Sequence, residues 1–63
     1  MNKYVVACFS YYTNDVEQKA VYANSEFDAV VNFLGRKPPG IHNLEELLEW
    51  VWDQEMMINL IEI

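Results

Sequence analysis

The stretch Asn43-Leu44-Glu45-Glu46-Leu47-Leu48-Glu49-Trp50-Val51-Trp52-Asp53-Gln54-Glu55-Met56-Met57-Ile58-Asn59-Leu60-Ile61-Glu62-Ile63 changes its hydrophobic period part-way along, and that change decides the fold. At about 100° of rotation per residue, Leu44, Leu47, Leu48 and Val51 fall within roughly 100° of one another, the pattern of an amphipathic helix. Asn43 is placed to cap this helix, and Glu46 three residues later completes a capping box. After Val51 the apolar stripe breaks at Gln54 and Glu55. Met56 to Ile63 is then apolar at most positions, which reads as a strand buried on both faces.

Towards the N-terminus, Pro38-Pro39-Gly40 separates this helix from an earlier one. The earlier helix starts at an S-x-x-D signal, Ser25 and Asp28, and repeats Phe27, Val30, Val31 and Leu34 at i, i+3, i+4, i+7. Gly35 suits a left-handed C-terminal position, and Arg36 and Lys37 follow where the helix's negative end favours cations. Further upstream, Tyr4 to Tyr12 and Val16 to Ala23 flank Thr13-Asn14-Asp15 and read as a β-hairpin. On its second arm Val16, Ala20 and Tyr22 share a face with Gln18, while Glu17, Lys19 and Val21 point the other way. The expected fold is α+β in the order β-β-α-α-β, a three-stranded, mainly antiparallel sheet with two helices packed on one face. The other sheet face then keeps some of Tyr4, Val6, Cys8 and Tyr12, or their alternates, as an apolar surface for a partner.

With 63 residues the chain is expected to form a single domain, residues 1–63. At that size folding removes only about 60% of the unfolded surface from water, so stability is marginal. Cys8 is the one cysteine, which excludes an intrachain disulfide, and no Cys/His cluster has zinc spacing. The remaining supports are a dense core, consistent with 52% hydrophobic content, and self-association, most simply a homodimer. Lys3 precedes an apolar run of six residues, Tyr4 to Phe9, too short for a secretory or membrane segment. A cytoplasmic location and no membrane partner are the expectation.

Charge is distributed unevenly. Residues 1–40 hold four acids and four bases, whereas residues 41–63 hold six acids and no Lys or Arg, so the last third carries the whole net charge of -6. Glu45, Glu46, Glu49 and Asp53 fall opposite the leucine stripe, with Trp50 on one edge and Trp52 on the other. Charged faces are normal on solvated helices, but this one lacks interleaved cations. Glu45/Glu49 and Glu49/Asp53 are like-charge i, i+4 pairs costing about 0.2 to 0.5 kcal/mol each, and the later acids oppose the helix dipole. Four carboxylates over about 12 Å of helix give roughly one charge per 4 Å, close to the 3.4 Å or so per charge of a single DNA strand. These six side chains form the expected partner-binding site, with a tryptophan as aromatic anchor.

Other chemistries find less support. Tyr11 and Tyr12 at the hairpin tip would suit base stacking, but four basic residues do not make a cationic groove, and direct nucleic-acid binding is not expected. Cys8 and His42 could pair as nucleophile and base only without an orienting third group, so no enzyme activity is expected. Cys8 reads as a small buried hydrophobe and His42 as a loop residue. The calcium-loop pattern is absent, and neither a metal nor another cofactor is expected.

The junction Val21-Tyr22-Ala23-Asn24-Ser25-Glu26-Phe27-Asp28-Ala29, a strand passing through a polar cap into a helix, resembles small phage-encoded proteins. A host RNA polymerase inhibitor of T7-like phages has a similar junction within a hairpin, helix and strand; the Pro38-Pro39-Gly40 turn and the acidic helix depart from it. In size and acidity the chain also resembles anti-CRISPR and other phage counter-defence proteins, several of which occupy nucleic-acid channels with acidic surfaces. The resemblance implies a non-enzymatic inhibitor that mimics nucleic acid against a basic, nucleic-acid-binding host protein. The alternative reading is a small oligomeric structural or regulatory adaptor whose acidic helix serves solubility.

Overall fold

The structure, a computed structural model, describes all residues from Met1 to Ile63. Strands β1 (Asn2–Ser10) and β2 (Val16–Ala23) precede helices α1 (Glu26–Leu34) and α2 (Leu44–Asp53), and β3 (Met56–Glu62) closes the chain. The architecture is α+β in the expected order, with three antiparallel strands arranged β2-β1-β3. The strand with the most apolar alternation, β1, is central, and the more polar β2 and the last strand form the edges.

Register explains the layering. Tyr4 lies opposite Val21 and Glu62, Val6 opposite Lys19 and Leu60, and Cys8 opposite Glu17 and Ile58. These rows face the helices: Tyr4, Val6, Cys8, Ala23 and Ile58 join Ala29, Val30, Leu47 and Val51 in one core of nine buried residues. Thus Tyr4, Val6 and Cys8 belong to the covered face, and their alternates Val5, Ala7 and Phe9 belong to the open one. On β2 the covered residues are Val21 and Ala23, while Val16, Ala20 and Tyr22 are exposed.

Three local expectations are corrected. Tyr11 and Tyr12 leave the first strand early, because Asn14 N–H donates to the Ser10 carbonyl at 2.8 Å and Ser10 N–H to the Asp15 carbonyl at 2.9 Å. These bonds close the loop around Asn14, whose φ of 62° is a left-handed value that Asn tolerates. Strand β3 is not buried on both faces: as an edge strand under one helical layer it buries Ile58 and leaves Ile61 68% exposed. The Asn43 side chain does accept from Glu46 N–H at 2.9 Å, but Glu46 Oε1 accepts from His42 N–H at 2.9 Å, one residue before the capping-box position.

Both helices otherwise start and stop as their chemistry dictates. Ser25 Oγ accepts from Asp28 N–H at 3.1 Å, and Gly35, at φ 81°, donates to the Val31 carbonyl at 2.9 Å. Gln54 ends α2, and Glu55 then takes φ 62° to turn the chain into β3. The Pro38-Pro39-Gly40 turn does more than break a helix, since Pro38 is fully buried. No helix is long and apolar enough to cross a membrane.

Candidate partner-binding face on the second helix

The leucine stripe fixes how α2 is presented. Burial of Leu47 and Val51 against the sheet turns the opposite side of the helix to solvent, so Glu45, Glu49 and Asp53 are exposed, while Glu46, which accepts from His42 N–H, is half-buried. All six residues expected from the sequence come together there, around two open grooves. One, of about 410 Å³, is lined by Glu45, Leu48, Glu49, Trp52 and Asp53. The other, of about 260 Å³, is lined by Ile41, Glu46, Glu49, Trp50 and Asp53. Glu49 and Asp53 form the ridge between them.

The two grooves differ in character. At the second, Arg36 stands over the Trp50 ring at 5.7 Å, placing a cation at its edge. Trp50 is half-buried, its indole already used internally. The first groove combines three carboxylates with Trp52, which is 60% exposed. Trp52 is braced from the sheet side, where its ring meets Tyr11 at 5.6 Å and Tyr11 meets Phe9 at 5.0 Å, both edge to face. An exposed aromatic held in place beside three acids is suited to an Arg- or Lys-bearing surface, because carboxylates take the charge and the ring covers the aliphatic stem or guanidinium plane.

All four basic side chains lie over aromatic rings: Lys3 on Tyr22, Lys19 on Phe33, Arg36 on Trp50 and Lys37 on Phe27, at 5.7 to 5.9 Å. Beyond following the C-terminal end of α1, Arg36 therefore reaches across to α2, and Lys37 lies over a ring of the first turn of α1 itself. The sequence did not indicate Arg36, Ile41 or Tyr11 as neighbours of the site. The first two arrive because the buried Pro38 turn folds back on α2, and Tyr11 because its N–H donates to the Glu55 carbonyl at 2.8 Å. Nothing in local periodicity signals either long-range contact.

Cys8 and His42 occupy separate settings. Cys8 is buried in the central strand, its thiol within 3.8 Å of Met56 Sδ. Burial, with a smaller push from the Glu17 carboxylate, raises its pKa and disfavours the thiolate. His42 is exposed in the loop ahead of α2. No family model matches the chain, and no curated protein or solved structure matches it significantly.

Proposed function

We propose that the chain is a non-enzymatic inhibitor that docks the exposed face of α2 into a basic, phosphate-binding site on another protein and so displaces nucleic acid. The observation that carries this reading is the first groove, where Glu45, Glu49 and Asp53 surround the exposed Trp52 with no cation among the lining residues. Like charges at i, i+4, with the later ones opposed to the helix dipole, cost folding free energy that a partner's cations would offset on binding. Phage counter-defence of the anti-CRISPR kind is the biological setting we propose, and a host protein that grips nucleic acid is the class of target. A small oligomeric adaptor is the second reading, favoured by the uncovered sheet face.

Glu46→Gln, Glu49→Gln and Asp53→Asn together test the proposal. The amide oxygen at position 46 can still accept from His42, so the fold should persist. Affinity for a basic protein captured from bacterial lysate should fall tenfold or more, about 1.4 kcal/mol. Full affinity in the folded triple variant would reject the reading.

A further inference from the structure

The uncovered face of the sheet has a composition unlike the rest of the surface. Register places three rows on it: Ala20, Val5 and Ile61; Gln18, Ala7 and Asn59; Val16, Phe9 and Met57. Val16 and Ile61 are each 68% exposed and Tyr22, beside Lys3 at the end of this face, 62%. The chain carries a net charge of -6, yet no acid lies on this face. The strand acids Glu17 and Glu62 pair with Cys8 and Tyr4 and so belong to the opposite side. Lys3, held over Tyr22, is the single charged side chain among the strand residues here.

We propose that this face is the interface with a second copy of the same chain, packed sheet on sheet about a twofold axis running along the row Gln18, Ala7 and Asn59. The face is self-complementary under that rotation. The two apolar rows exchange places, so Val5 meets Phe9, Val16 meets Ala20 and Ile61 meets Met57, within the roughly 30° offset of aligned sheets. Residues on the axis meet their own counterparts. Ala7 is small enough for close approach, and Gln18 and Asn59 carry amides that both donate and accept, so each can bond its own copy. A twofold along the strands would stack Lys3 on Lys3, whereas this one sends each Lys3 to the far end, towards the other copy's Tyr11.

Charge is compatible with a second copy: two chains of -6 meet across this face without apposing acids, and their acidic helices then point outwards on both sides. Area agrees. A standard interface takes about 800 Å² per partner, roughly a fifth of the 4373 Å² accessible surface, a share one broad face of a two-layer domain supplies. The domain also gains the cover that its core of nine residues, without a disulfide, does not provide.

Sedimentation velocity from 1 μM to 500 μM tests the proposal on wild type and on the double variant Gln18→Glu, Asn59→Asp. Both substitutions are nearly isosteric and solvent-exposed in one protomer, so circular dichroism should stay native. In the dimer they bring four carboxylates together at the axis. Wild type should be dimeric, and the variant should dissociate at least a hundredfold more readily. As a second readout, Ala7→Trp should block close approach of the sheets and give a folded monomer. The inference is independent of the proposed function, because the Glu46, Glu49 and Asp53 amide variant should still dimerise. A wild type that stays monomeric throughout, or a folded double variant that associates as tightly as wild type, would overturn it.

Discussion

Tyr11 stands edge-on to Trp52, ring centroids 5.6 Å apart and planes at 77°, so a residue of the hairpin loop buttresses the exposed indole of the acidic helix. The same tyrosine meets Phe9 at 5.0 Å and its N–H donates to Glu55, tying both ends of the helix-to-strand turn to the central strand. Such aromatic pairs contribute about 0.5 to 1.5 kcal/mol beyond area. Tyr11→Ala should therefore lower the thermal midpoint by several degrees, as about 1 kcal/mol does in a domain this small. Trp52 fluorescence should shift to the red. An unchanged midpoint and spectrum would show that the pair does not hold the indole.

Two left-handed positions end the helices, one occupied by Gly35 and the other by Glu55. A Cβ at Gly35 would meet nothing within 4 Å, so Gly35→Ala isolates the cost of its φ of 81° and should destabilise by about 1 kcal/mol. Glu55→Gly should move the other way by a similar or smaller amount, since strain relief is partly offset by added chain entropy. Chemical denaturation midpoints of the two variants should move in opposite directions. Shifts of the same sign would contradict this account of the turns.

Burial holds the Cys8 thiol pKa above its ordinary 9.0, with Glu17 adding to the effect. The folded protein keeps the proton to higher pH than the unfolded chain. The associated stabilisation is complete below the unfolded thiol's pKa and is lost as pH rises through the folded one. Wild type should accordingly lose more stability than Cys8→Ala between pH 8 and 10.5, as read by denaturant melts at each pH. Parallel stability curves would show that the thiol is not in a burying environment.

Much of this architecture was legible because local signals agreed with one another. The stripe Leu44, Leu47, Leu48 and Val51, the caps Ser25 and Asn43, and the loss of helical period at Gln54 mark both helices and the last strand. The same stripe sets which way Glu45, Glu49 and Asp53 face, so the candidate site was readable too. What was not legible depends on pairing between distant segments. The central place of β1 decides that Tyr4, Val6 and Cys8 are covered, and that Met57 and Ile61 are not. Periodicity along one strand shows that two faces differ without saying which one the helices take. Arg36 reaches Trp50 through a turn whose buried Pro38 looked like a simple helix breaker.

The Asn43 cap supports the acidic face from beneath, since its side chain holds Glu46 N–H at 2.9 Å while the Glu46 carboxylate holds His42 N–H. Asn43→Ala should cost about 1 kcal/mol of stability. Asn43→Asp should retain the cap, and a melt of equal midpoint for Asn43→Ala and wild type would contradict the assignment.

Competition tests the proposed docking of the exposed acids of α2 into a nucleic-acid site on a basic protein. The protein captured from bacterial lysate is immobilised, and binding of the chain is followed with and without excess DNA or RNA, at low and high salt. Charges at this surface are screened over about 10 Å at 0.1 M, so rising salt should weaken binding chiefly through slower association. Excess nucleic acid should displace the chain. A ternary complex whose affinity responds to neither salt nor nucleic acid would contradict the claim.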